Sequence, residues 1–126
     1  MTVDEINAAL STLPAQIARL GEQENTSYAL MTRLHEDYKR ARARAFFTTK
    51  ASDPSLKSLK ELDSALDNHP ALQRVKDDEL LAEIEYRGYR LQKERLENEF
   101  QAAQEIARNL RSEQRNLNDT IRQEAP

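Results

Sequence analysis

The chain has 126 residues, of which 33% are charged and 38% hydrophobic, and its formal net charge is −3. It contains no cysteine, which excludes a disulfide framework and the common zinc sites that need thiolate ligands. No apolar run approaches the roughly 20 residues of a membrane-spanning helix, and the N-terminal sequence MTVDEINAAL lacks the basic and apolar regions of a signal peptide. The chain has only two glycines, and this composition favours long helices over a compact core. We therefore expect a single all-α domain over 1–126, cytoplasmic and without a membrane partner.

The first part of the chain has the apolar spacing of a heptad seam. The seam carries a polar interruption near 21–27. Pro14 lacks a backbone donor and disfavours helical geometry in the residue before it, so it should break or kink the helix around Thr12–Leu13. The sequence therefore predicts two helices here, over about 2–12 and 14–47.

A loop and a short helix follow. The sequence TTKASDPS at 48–55 has loop composition, and either Ser52 or Asp53 can cap the next helix. That helix should extend over about 55–66, with leucines along one side, and DNHP at 67–70 should end it.

One long helix is predicted for the remainder, from 71 to about 123, a length of about 80 Å. Its main seam can face the helix over 14–47, but a second apolar stripe in its middle needs another cover, and a copy of the protein is the simplest candidate. The second stripe consists of Leu81, Ile84, Gly88 and Leu91. We therefore expect an elongated helical hairpin with coiled-coil-like packing that self-associates as a homo-oligomer through this stripe.

The positive charge of the chain is concentrated in its middle. The segment YKRARARAFFTTK at 38–50 holds five basic residues, three aromatic residues and no acidic one. The net charge is −4 over 1–37, +6 over 38–60 and −5 over 61–126, which indicates an anionic partner for the middle.

Helical spacing divides this segment into two faces, one with Tyr38, Lys39, Arg42 and Phe46 and the other with Arg40, Arg44 and Phe47. Arginine offers a planar donor fork to phosphates, and aromatic rings offer stacking surfaces that any base can use. This combination favours single-stranded nucleic acid over a duplex. The candidate contact residues are Tyr38, Lys39, Arg40, Arg42, Arg44, Phe46 and Lys50.

A structural interpretation of the same segment stays open. Its basic side chains can complement acidic groups of the long helix or of a protein partner, and Phe46 and Phe47 can close the end of the hairpin core. The chain would then be a coiled-coil assembly, adaptor or inhibitor protein, such as a phage structural or interaction protein, without nucleic-acid binding.

The sequence contains no clear pattern of a catalytic or metal-binding site. The only histidines, His35 and His69, are far apart, and no Gly-rich phosphate loop or nucleophile with a local base is present. The acidic cluster at 77–79 lies near the start of a helix, where negative charge is favoured. We therefore expect neither an enzyme nor a metal or cofactor site.

The order of structural elements predicted over about 30–115 resembles that of a known protein family. A helix ends in EDYKRARARAFF, a Lys-bearing connection TTKASDPSLKSLK follows, and the long helix has paired central tyrosines in LLAEIEYRGYRLQKERLENEF. This order resembles the phage recombination mediator proteins of the UvsY type, although the first helix is not part of the resemblance.

The resemblance implies a non-enzymatic accessory factor, in the host cytoplasm if the protein is phage-encoded. Proteins of this type form ring-like homo-oligomers and bind single-stranded DNA through a basic helix. They help to load a RecA-like recombinase onto strands covered by single-strand-binding protein. The residues that the resemblance assigns to DNA binding are Lys39, Arg40, Arg42 and Arg44.

Overall fold

The chain folds into a hairpin of helices. The residues that the computed structural model describes are 1–53, 55 and 58–124. The helices are, in chain order, α1 (Val3–Ser52), α2 (Leu59–Asp67) and α3 (Pro70–Glu124). The two long helices pack against each other, and the described residues contain no strand, so the predicted all-α hairpin with a long C-terminal helix is confirmed. None of the described helices has the length and apolar character needed to cross a membrane.

Helix α1 is continuous through Pro14, so the predicted break at this residue is wrong. A proline in a helix interior removes one backbone hydrogen bond, here to the carbonyl of Leu10, and costs about 3 kcal/mol. The apolar seam continues on both sides of the proline, because Ile6 and Leu13 are buried and Ile17 is half-buried. Packing of this seam against α3 offsets the local penalty and keeps the helix intact.

The C-terminal end of α1 also extends further than predicted. Helical structure continues to Ser52, so the loop predicted to begin at residue 48 is wrong over its first five residues. The hydroxyl of Thr48 donates to the carbonyl of Arg44 at 3.0 Å, and the amide of Asp53 donates to the carbonyl of Thr49 at 3.0 Å. The whole basic segment 38–50 is therefore helical.

Helix α2 begins later than predicted. Its N-cap is Ser58, whose hydroxyl accepts a hydrogen bond from the amide of Glu61 at 3.1 Å, and not Ser52 or Asp53. A serine followed three residues later by glutamate has the sequence form of a capping box, which accounts for the start at this position. Of the predicted first turn at 55–57, residues 56 and 57 lie outside the described residues. Helix α2 buries two leucines, Leu62 and Leu66.

The contacts of the chain fall into two compact units, Met1–Glu22 with Arg90–Pro126 and Gln23–Tyr89. In the first unit the start of α1 lies beside the later part of α3, and the buried residues are Ile6, Leu13 and Ala103. From Arg108 to Glu124, α3 is exposed throughout. The single domain over 1–126 stays a prediction.

The second unit contains the end of α1, all of α2 and the start of α3. The ring of Tyr28 lies 5.4 Å from that of Tyr86, and Nδ1 of His35 lies 2.6 Å from Oε1 of Glu79. These pairs define an antiparallel register of α1 and α3 in this unit. The interior is formed by the small or aliphatic residues Ser27, Leu62, Leu66, Leu72 and Ala82.

Candidate nucleic-acid interface

The C-terminal end of α1 carries a group of exposed cations. Among the described residues, Arg40, Arg44 and Lys50 form no ion pair, and all three are exposed. Within the described part of the chain, Lys39 pairs only with Glu36, one turn earlier, at 3.7 Å, and the two side chains are 60% and 52% exposed. An ion pair this exposed contributes little to stability, so Lys39 can readily exchange Glu36 for another anionic partner. Four cations therefore face solvent on one end of one helix.

Arg42 differs from its neighbours because α2 supplies carboxylates to it. Its guanidinium lies 3.1 Å from Oδ1 of Asp63 and 3.4 Å from Oδ1 of Asp67, and it donates to the hydroxyl of Tyr38 at 3.3 Å. The Tyr38 hydroxyl, together with the two carboxylates, raises the pKa of Arg42 above its ordinary value. Arg42 is thus a charged group with internal partners, whereas Arg40 and Arg44 are charged groups without them among the residues described.

A groove lies between α1 and α2 beside these cations. It encloses about 420 Å³. Its lining comes mostly from α1, with two residues from α2: Tyr38, Lys39, Arg42, Ala43, Phe46, Phe47, Asp63 and Leu66. Its surface is mainly apolar, with charged groups at its wall.

The two phenylalanines have different environments. Phe46 is half-buried, whereas Phe47 is 70% exposed. Their ring centroids are 5.7 Å apart and the rings are nearly perpendicular, so the edge of one meets the face of the other. Phe47 therefore does not close the hairpin core, and only Phe46 packs partly inside.

The structure adds four residues to the site that the sequence did not single out as contacts: Phe47, Asp63, Leu66 and Asp67. The structural interpretation placed the neutralising carboxylates on the long helix, but among the described residues Arg42 pairs with carboxylates of α2 and Lys39 with Glu36 of α1. The i,i+4 spacing of Asp63 and Asp67 was a visible signal, since it puts both on one face of a helix. The sequence alone does not reveal that this face turns toward Arg42.

Of the residues predicted to form the oligomer interface, the three large apolar ones are exposed on α3 and Gly88 is half-buried. Leu81 and Ile84 are 63% and 58% exposed in the second unit, and Leu91 is 65% exposed in the first. A Cβ added at Gly88 would meet no atom within 4 Å. Leu80, beside Leu81, is 53% exposed as well. Coverage of these residues by a second copy stays a prediction.

The basic end of α1 therefore combines solvent-facing cations with an open apolar groove that contains aromatic rings. Such a surface can hold an anionic chain that also carries flat apolar groups. In comparisons with protein-family models, with curated proteins and with solved structures, the chain shows no match.

Proposed function

We propose that this chain is a non-enzymatic protein that binds single-stranded nucleic acid through the basic end of α1. The observation that carries the proposal is the exposure of Arg40, Arg44 and Lys50 without an ion pair among the described residues. Because no carboxylate of the described chain neutralises these groups, phosphates can bind to them without displacing an internal partner.

The aromatic residues beside the cations favour a single strand. Phe47 is largely exposed, and Phe46 lies in contact with it at the groove. A duplex hides the faces of its bases, whereas a single strand presents them for stacking on aromatic rings. A single strand can therefore contact both the cations and the aromatic rings at this end of the helix, whereas a duplex can contact only the cations.

The more specific role is that of a recombination mediator, which helps a RecA-like recombinase to load onto DNA covered by single-strand-binding protein. It is supported by the order of parts that the sequence shares with such mediators.

Self-association belongs to the same proposal. One chain offers four or five phosphate contacts, which corresponds to a slope of log K against log salt of about −3 for a single strand. Several linked copies would bind one strand multivalently, with a large gain in affinity and no new kind of contact. The copies would be linked where a second chain covers Leu81 and Ile84, because exposure of an apolar stripe to solvent is unfavourable.

The experiment is a fluorescence anisotropy titration of a labelled single-stranded oligonucleotide at several salt concentrations. The variant Arg40→Ala/Arg44→Ala removes two phosphate contacts, so the slope should fall by about 1.4 and the affinity by about 25-fold at about 0.1 M salt. The control Arg111→Ala/Arg115→Ala makes the same charge change on the exposed part of α3 and should leave both values nearly unchanged. An equal loss in the two variants, or no binding by the unmodified chain, contradicts the proposal.

A second candidate is a coiled-coil assembly or adaptor protein that binds no nucleic acid. The ion pairs of Arg42 with Asp63 and Asp67 favour it, because they give part of the basic segment a structural role. It predicts self-association in light scattering together with no oligonucleotide binding at low salt.

A further inference from the structure

The groove between α1 and α2 combines features that a purely electrostatic binding site does not need. Its volume of about 420 Å³ falls within the range of about 300–1,000 Å³ for small-ligand sites. Phe46, Phe47 and Leu66 make its surface apolar, and the charged residues Lys39, Arg42 and Asp63 stand at its wall. A solvated helix face that only attracts phosphates has no use for such a recess.

We propose that this groove receives one unstacked nucleobase of the bound strand, with the ring of Phe47 as its stacking surface. The inference rests on the proposed function and adds a base-binding site to it. Phe46 supports the position of the Phe47 ring through their edge-to-face contact. Asp63 and Asp67 hold the guanidinium of Arg42 at the same groove, where its flat face can lie against a base.

The charge around the groove selects this occupant over an apolar side chain. A base in the groove is attached to the sugar-phosphate backbone, so phosphates on either side of it can reach Lys39, which lines the groove, and the exposed Arg44, which lies one helical turn before Phe47. A peptide side chain would fill the apolar volume and leave those cations unused. The strongest rival is a second copy, since Leu80, Leu81 and Ile84 are exposed on an acidic part of α3.

The test compares a single-stranded oligonucleotide of about ten thymidines with a chain of equal length that carries the sugar-phosphate backbone but no bases, a length within the usual range of single-strand binding sites. Stacking of one base on an aromatic ring corresponds to about a fivefold to 150-fold change in affinity. The intact oligonucleotide should therefore bind the unmodified chain more tightly by a factor in this range. Phe47→Ala should remove most of this preference and leave the affinity for the base-free chain unchanged.

Leu59→Ala is the matched control, because Leu59 is 71% exposed, close to the 70% of Phe47, and does not line the groove. It should keep the preference for the intact oligonucleotide, and circular dichroism should show unchanged helicity for both variants. Light scattering of Phe47→Ala should give the same mass as the unmodified chain.

Two results would overturn the inference while the proposed function stands. One is binding that depends on Arg40 and Arg44 but does not distinguish the intact from the base-free chain. The other is a loss of self-association in Phe47→Ala with an unchanged preference for bases, which would assign the groove to a second copy. Failure of both oligonucleotides to bind would overturn the inference and the proposed function together.

Discussion

Asparagine at positions 63 and 67 would test whether α2 holds Arg42 away from nucleic acid. The double variant Asp63→Asn/Asp67→Asn removes both carboxylate charges that contact the Arg42 guanidinium. The amide oxygens of asparagine can still accept hydrogen bonds from Arg42, so the geometry should persist while the charge pairing is lost. Arg42 then becomes available to a phosphate.

The exposure of these groups sets the size of two opposing effects. The Arg42 side chain is 32% exposed, and the carboxylates of Asp63 and Asp67 are 58% and 68% exposed. Ion pairs this exposed contribute about 0.2–1 kcal/mol each, so the variant should lose about 0.4–2 kcal/mol of stability in total. One additional phosphate contact adds about 0.7 to the salt slope and raises the affinity about fivefold at about 0.1 M salt.

Fluorescence anisotropy across a salt series measures both quantities, and urea unfolding measures the stability. Asp77→Asn/Asp78→Asn is the control, since it removes two carboxylates from exposed positions of α3 in the same unit. The control should raise the affinity less and leave the salt slope unchanged, because it frees no cation. An unchanged or weaker affinity in Asp63→Asn/Asp67→Asn would refute the reasoning, and an equal rise in the control would assign the effect to net charge alone.

Two further predictions concern the helices themselves. Pro14→Ala should raise the free energy of unfolding by about 2 kcal/mol. Pro14 is exposed inside α1, and alanine restores the missing backbone hydrogen bond, but it also raises the entropy of the unfolded chain, which offsets part of the gain. Urea unfolding that shows no increase in stability would mean that α1 is interrupted there. Gly88→Ala should stabilise the free chain by about 0.5–1 kcal/mol, because alanine favours a helix and the added Cβ meets no atom within 4 Å. It should also lower the mass measured by light scattering, because the added methyl group would keep a second copy from approaching α3 closely at this position. An unchanged mass would remove Gly88 from the proposed interface.

The long C-terminal helix was predictable because its signals are local. A sustained apolar seam without proline placed it at about 71–123, and α3 extends over Pro70–Glu124. The proline at its start fits the first turn of a helix, where no backbone donor is needed. Neither feature depends on what the helix packs against.

The errors in α1 have the opposite cause. Pro14 and the polar residues at 48–52 are local signals for a break, and both were weighed without their tertiary surroundings. The seam residues Leu13 and Ile17 flank the proline and continue the packing through it. Packing of an amphipathic face contributes more to a helix in a folded chain than the propensity of one residue.

The sequence predicts which basic residues share a helix face, but it does not predict which of these faces meets carboxylates. In the sequence RARAR, helical spacing puts Arg40 and Arg44 on one face and Arg42 on another, whatever the rest of the chain does. Which of the faces meets carboxylates depends on where α2 packs, and that follows from the burial of Leu62 and Leu66. Because α2 packs beside Arg42, this residue has internal partners and Arg40 and Arg44 have none among those described. Three arginines with the same local sequence therefore have different expected effects on binding, and alanine at Arg42 should weaken nucleic-acid binding less than a single alanine at either Arg40 or Arg44.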